Sequence, residues 1–285
     1  MSDARVEAET RELVAAATSR LAAAADGPLL VAVDHELGGI RRFDHLLHEG
    51  TLATADEVRG SLADDGAALG EIGVNMVLGP ILDVVRGTNP WLSGRNLGGD
   101  AARVSALGAA AIEGLQAAGV VAIAKHYPGH ASVALDPAER REARLTTAAA
   151  ELESIDEMPF RAAVASGVRG LMLGPVPVDA LDGSASASLS PVIATRARDR
   201  LGFEGVLLTD DIDAPATRGS LDVPAAAVQA LIAGADMLLV AASNARDCAD
   251  AIYRATVDGV LRFERLADAA RRVEGLAAAA IHISP

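Results

Sequence analysis

The chain has 285 residues and a net charge of −14, and it is half apolar but only 2% aromatic. That length suits one large α/β domain or two small ones. So acidic a balance argues against a nucleic-acid backbone or an anionic membrane surface as partner. A core so poor in aromatics must be built from Ala, Val, Leu and Ile, as in helix-wrapped parallel sheets. The single cysteine, Cys248, rules out an internal disulfide.

Met1-Ser2-Asp3-Ala4-Arg5-Val6-Glu7 lacks the basic start and apolar run of a signal peptide. No stretch has the apolar length of a membrane span. A cytoplasmic protein is the expectation. An Ala-rich helical segment runs from Glu9 to Ala25 and is stopped by Gly27-Pro28. The first strand, Leu29 to Val33, ends in Asp34-His35-Glu36. A helix from Thr54 to Leu69 and a strand from Val74 to Leu78 follow, with Asp83 just past a short continuation. Arg86 to Asp100 is a long loop that carries Arg95, and long loops in compact domains are often functional. Asp100 then caps a helix whose inward stripe is Val104, Leu107, Ala111 and Leu115.

Val120 to Ala124 is a buried strand that ends in Lys125-His126-Tyr127-Pro128-Gly129-His130. The charged loop after it, with Asp136, Glu139 and Glu142, reads as a solvated segment or as a lid. A helix from Thr147 to Ser166 and a strand from Gly170 to Leu173 come next, then a Ser/Ala/Gly loop from Asp182 to Ser190. A short helix leads into the Val206 strand, which ends in Thr209-Asp210-Asp211. Pro224 to Gly234 is helical, Met237 to Val240 is a strand, and two helices close the chain. The alternation continues without a linker, so residues 1–285 form a single parallel α/β domain. A closed eight-stranded barrel needs two strands beyond the six clear ones, one of them near Ile81 to Val84.

Three buried strands therefore carry charge at their C-terminal ends, the face on which barrel enzymes gather catalytic groups. Asp210 is a candidate nucleophile that can attack an anomeric carbon and form a covalent glycosyl-enzyme. Asp34, Arg95, Lys125 and His126 are suited to hydrogen-bonding sugar hydroxyls. The structural alternatives are a helix N-cap for Asp210 and a loop salt bridge for Asp34.

Taken together, these motifs resemble glycoside hydrolase family 3, and most closely its single-domain bacterial β-N-acetylglucosaminidases. Lys125 to His130 is similar to the family's Lys-His-Phe-Pro-Gly-His, with Tyr127 in place of Phe. Leu201-Gly202-Phe203-Glu204-Gly205-Val206 and Thr209-Asp210-Asp211 resemble its Leu-Gly-Phe-x-Gly-Val and Ser-Asp-Asp. Asp34-His35-Glu36, Asn75 with Pro80 to Asp83, Gly94-Arg95 and Ala233-Gly234-Ala235-Asp236-Met237 also fit. The resemblance implies a (β/α)8 barrel and a retaining hydrolase of β-linked amino sugars that needs no cofactor or metal. It makes Asp210 the nucleophile, and Asp34, Arg95, Lys125, His126 and His130 the substrate-binding residues.

The departures from the family are equally specific. Its acid/base His lies in an Asp-Ser-His, where this chain reads Asp136-Pro137-Ala138. Asp136 remains as a catalytic candidate, with Glu139 and Glu142 as other carboxyls that could donate the proton. An Arg expected after Asp34 falls on Gly39, and an Ala-His after the fourth strand is replaced by Gly174-Pro175. The family's first strand has no counterpart, so the barrel is expected to be incomplete. Its gap would be covered by the N-terminal helix or by a homodimer. Two other readings stand beside the hydrolase: a non-catalytic module that binds a sugar or a protein, and an aldolase-like lyase using Lys125.

Overall fold

The computed structural model describes residues 10–43 and 54–280. The start of the first helix, expected at Glu9, lies outside them. Helix α1 (Arg11–Ala24) precedes β1 (Ala32–Val33), then come α2 (Ala55–Glu71), β2 (Met76–Val77), α3 (Ala101–Ala117) and β3 (Val121–Tyr127). A turn of α-helix at Ala149–Glu151 and a π-turn at Leu152–Asp156 lead into α4 (Met158–Ala165) and β4 (Gly170–Leu173). The region Asp182 to Ser190, expected to be loop, is instead ordered. β5 (Pro177–Val178) and β6 (Asp182–Ser186) form an antiparallel hairpin, and Ala187–Leu189 is a 3-10 turn. Then follow α5 (Pro191–Asp199), β7 (Val206–Asp211), α6 (Pro215–Arg218), α7 (Val223–Ala233), β8 (Met237–Leu239), α8 (Ala245–Val257) and α9 (Phe263–Ala279).

The six strands expected from the sequence make one parallel sheet, in the order β1-β2-β3-β4-β7-β8. Near Ile81 only a single bridge to Lys125 is found, so that segment is not a further strand. Among the described residues β1 and β8 are the two ends of the sheet.

Both faces of the central strands are covered, so they run apolar up to the polar residues at the C-terminal ends of β3 and β7. Val77, Ala122, Ala124, Leu171, Leu173 and Leu207 pack outward against the helices. Met76, Leu78, Val121, Ile123, Met172, Val206 and Leu208 form a second cluster on the inner side. This alternation is the two-residue period of a strand. Leu276 and Val273 of α9 belong to the inner cluster. Helix α9 is tied to the segments that enter the strands: Arg265 donates to the carbonyl of Ala235 and to Asp236, and Arg169 donates to the carbonyl of Ala279. It therefore plugs the N-terminal end of the sheet.

Helix α1 does pack onto the domain, but beside α2. Its Thr18 hydroxyl donates to the Ile72 carbonyl, and Arg11 pairs with Glu71. Among the described residues no helix is long and apolar enough to cross a membrane.

Two irregularities in the sheet matter for the site. Lys125 pairs with Met172 and Tyr127 with Leu173, so His126 is one extra residue in β3. Leu208 pairs with Met237 and Asp211 with Leu239, so β7 also gains one residue, around Thr209 and Asp210. An extra residue of this kind re-aims side chains at the end of a strand.

Candidate active site

In a regular strand Lys125 and His126 would point to opposite faces. The extra residue in β3 lets both reach polar partners. Lys125 Nζ lies 2.7 Å from Asp34 Oδ1 and 2.9 Å from Glu36 Oε1. His126 Nδ1 lies 2.7 Å from Asp83 Oδ2, and its Nε2 stands 3.8 Å from Asp210 Oδ2. Residues from β1, β3, β7 and the segment after β2 thus meet in one place.

Two buried carboxylates organise this group, Glu36 and Asp83, neither of which has a role assigned from the sequence. Glu36 is fully buried. Arg95 grips it with a fork, Nε to Oε2 at 3.0 Å and Nη2 to Oε1 at 2.7 Å. Burial alone would raise the Glu36 pKa, but the Arg95 fork and the Lys125 ammonium outweigh it and hold the group at about 2. Paired carboxylate and guanidinium in a fork is a strong, geometrically specific contact. The Arg95 stem fills the space beside Gly39, where an added Cβ would stand 2.5 Å from Arg95 Cγ. Glycine at 39 thus leaves room for Arg95 to reach Glu36.

Asp83 is likewise buried and holds two histidines. Its Oδ2 faces His126 Nδ1, and its Oδ1 accepts the His130 amide at 2.8 Å and faces His130 Nδ1 at 3.3 Å. Burial opposes ionisation here too, but the two imidazoles and their hydrogen bonds keep Asp83 well below the usual carboxylate range. An ionised carboxylate only accepts, so each Nδ1 carries its hydrogen and His126 turns Nε2 toward Asp210.

Asp210 is not a helix cap, since the helix that follows starts at Pro215 with Ala214 as its cap residue. Its amide donates to Ser188 Oγ at 2.9 Å, and its Oδ1 accepts the Asp211 amide at 2.7 Å. Its Oδ2 is buried and has no hydrogen-bond partner. Asp34 does form the salt bridge considered for it, yet its side chain remains 42% exposed. Lys125 pairs with two carboxylates and is not the isolated amine in an apolar pocket that a lyase needs.

His130 is fully buried behind His126. An added Cβ at Gly174 would stand 2.0 Å from its ring. Trp91, half-buried in the 3-10 turn Pro90–Leu92, packs against His126 with ring centroids 4.5 Å apart, and Arg95 Cζ lies over the Trp91 ring, 5.6 Å from its centroid. Asn89 fixes that turn by donating to the His130 carbonyl and accepting from the Leu92 amide. In sequence Trp91 sat in a stretch with no apolar period, so nothing marked it.

Asp136 is placed differently. Its Oδ1 accepts the Ala138 amide at 2.9 Å, closing a local turn. Among the described residues no hydrogen bond or ion pair joins Asp136, Glu139 or Glu142 to Asp210. The loop that carries them is fastened at both ends. Ala216 donates to the Pro137 carbonyl, Leu145 bonds to Pro177 and Asp179, and Arg144 reaches Asp179 at 2.8 Å. It is a strap, not a free lid. Among the described residues no group of three His, Cys, Asp or Glu side chains is arranged to hold a metal ion.

Comparison with known proteins finds relatives over most of the chain. The chain is 30% identical to a β-N-acetylglucosaminidase/β-glucosidase of Cellulomonas fimi over 93% of its own length and 50% of that protein. It is 31% identical to a β-hexosaminidase of Methylococcus capsulatus over 74% of its length and 66% of that protein. It therefore spans between half and two thirds of these curated relatives. Among solved structures it is similar to a glycoside hydrolase family 3 β-N-acetylglucosaminidase from Paenibacillus sp. str. FPU-7, with a TM-score of 0.89 and 29% identity over 94% of this chain and 54% of that one. A β-N-acetylhexosaminidase from Beutenbergia cavernae superposes with a TM-score of 0.83 and 28% identity over 93% of this chain and 84% of that one. The sequence model of the glycosyl hydrolase family 3 N terminal domain matches residues 3–276. By that match the chain belongs to glycosyl hydrolase family 3.

Proposed function

We propose that the chain is a retaining β-N-acetylglucosaminidase with Asp210 as its nucleophile. The observation that carries this reading is the free Oδ2 of Asp210. It is the one oxygen of that carboxylate without a hydrogen bond, and it stands 3.8 Å from Nε2 of His126, the residue next to Lys125. A sugar seated there would give hydroxyls to Asp34 and Lys125. Asp210 Oδ2 then bonds to the anomeric carbon as the bond to the aglycone oxygen breaks, and water later cleaves the glycosyl-enzyme and restores the carboxylate.

The weak step is protonation of the leaving oxygen, since Asp136 is committed to a local turn and Ala138 carries no acid. Turnover should therefore be weak and should favour leaving groups that need no proton. Intact-protein mass spectrometry with a fluorinated, activated N-acetylglucosaminide tests this. One glycosyl unit should be added to the wild type and none to Asp210→Asn.

The position of Asp136 also favours a second reading, a sugar-binding protein without turnover. In that case the same sugar binds reversibly and leaves no adduct on either protein. Assembly as a homodimer across the sheet ends β1 and β8 accompanies both readings and is checked by analytical ultracentrifugation.

A further inference from the structure

Asp65 is a buried carboxylate that stands outside the group around Asp210. It lies in the middle of α2, on the face that also carries Val58, Leu62 and Leu69, where a helix ordinarily places apolar side chains. A carboxylate is costly to bury unless donors surround it. Its Oδ2 has two: His35 Nε2 at 2.8 Å and Arg41 Nη2 at 3.3 Å. Arg41 can only donate, so Oδ2 accepts, and His35 meets it with an N–H.

His35 and Arg41 belong to the two arms of one loop. A β-bridge joins them, the Glu36 amide donates to the Ile40 carbonyl, and the Arg42 amide donates to the Asp34 carbonyl. One carboxylate on α2 thus fastens both arms. The loop leaves a weakly held strand, since β1 ends at Val33 and, among the described residues, pairs with β2 alone. On its other side the loop carries Asp34 and Glu36, which both reach Lys125. His35 is therefore back to back with those two carboxylates: they turn toward Lys125, and it turns toward α2.

We propose that Asp65, acting through His35, is a positioning residue that holds Asp34 and Glu36 at Lys125. Stability alone does not explain the pair. His35 Nδ1 and Asp65 Oδ1 are buried and have no hydrogen-bond partner among the described residues. Two polar atoms are left uncompensated, and apolar side chains of similar size are often as stable in such a place, or more so. What apolar side chains lack is direction, whereas the hydrogen bond ties the ring to one point on α2. That this placement serves a sugar rests on the reading of Asp34 and Lys125 as sugar ligands; the placement itself does not.

The test compares two variants of the full chain. His35→Gln can keep an N–H toward Asp65, and His35→Met keeps bulk without a donor. Calorimetry with N-acetylglucosamine, well below the Tm of each variant, should give an affinity within about threefold of wild type for His35→Gln and weaker by roughly tenfold or more for His35→Met. Asp64→Asn, an exposed neighbour on α2, should change nothing. A pair that only stabilises the fold would lower the Tm of His35→Met and leave the affinity of the folded protein as it was. Crystal structures of the variants read the placement without any sugar. Lys125 should keep both carboxylates in His35→Gln and lose at least one in His35→Met. Asp65→Asn, which has the same shape without the charge, should show the same losses and replaces His35→Met if that variant does not fold. Unchanged Lys125 contacts in the variant without the donor or charge would overturn the proposal. So would equal affinities of the two variants where the wild type binds the sugar. Lost contacts in a chain whose wild type binds no sugar would uphold the positioning and overturn the sugar-ligand reading instead.

Discussion

His126 Nε2 stands 3.8 Å from Asp210 Oδ2, and Asp83 decides that it faces that way, because Asp83 occupies the opposite ring nitrogen at 2.7 Å. Asp83→Asn keeps the volume but loses the charge that fixes two imidazoles. We expect sugar affinity to fall about tenfold and stability by about 3–5 kcal/mol, as when one partner of a buried charged pair is removed. Calorimetry with N-acetylglucosamine and urea unfolding measure the two effects. Unchanged affinity would mean that the orientation of His126 is irrelevant to binding.

The leaving group should control turnover. An activated aryl N-acetylglucosaminide should be cleaved far faster than an alkyl one, and Ala138→His should narrow the gap by raising the alkyl rate roughly 10²-fold, the low end of general-acid contributions. Ala138 is exposed, so the new side chain costs little packing. Equal rates on both substrates in the unaltered protein would contradict the loss of a proton donor.

Glu36 links stability to pH. Its pKa is depressed from 4.5 to about 2 on folding, so its stabilisation is fully present above about pH 4.5 and is lost as pH falls toward 2. The amount is on the order of 3 kcal/mol. In urea unfolding, Glu36→Gln should be less stable than wild type at pH 6 and should lose less between pH 6 and pH 3. Parallel pH profiles would show that Glu36 is not the linked group.

Trp91 is the only tryptophan in the chain and lies over His126. Seating a sugar beside His126 should change its fluorescence. Trp91→Ala should raise KM about fivefold, equivalent to ~1 kcal/mol of lost aromatic contact, with a smaller change in kcat. A spectrum insensitive to N-acetylglucosamine would place Trp91 outside the binding surface.

Most of the fold could be read in advance because parallel strands covered on both faces are continuous apolar runs, as at Val120 to Ala124 and Gly170 to Leu173. The β5–β6 hairpin could not, because Asp182-Gly183-Ser184-Ala185-Ser186 has no apolar alternation to announce a strand. Lys125, His126 and Asp210 stood out as charge directly after such runs. Glu36 and Asp83 were visible as residues, but a sequence does not show whether a carboxylate faces a ligand or another side chain. The single extra residues in β3 and β7 are differences in register, a property of two strands together that neither strand's sequence contains.

The plug formed by α9 should dominate stability from the far end of the sheet. Leu276→Ala removes a buried side chain from the inner cluster and should cost about 2–5 kcal/mol in urea unfolding, with the sugar site unaffected in calorimetry. A change below about 0.5 kcal/mol would mean that the helix end is only loosely seated.

The one-residue insertions at His126 and around Asp210 have a wider consequence. Each re-aims a side chain within its own strand, so the strap beyond is held by its own bonds to Pro177, Asp179 and Ala216 and not by the pairing of β3 with β4 or of β7 with β8. The stretch after His130 can exchange residues, or shed an acid altogether, without shifting His126 or Asp210. That makes the strap the natural place to alter this protein by design.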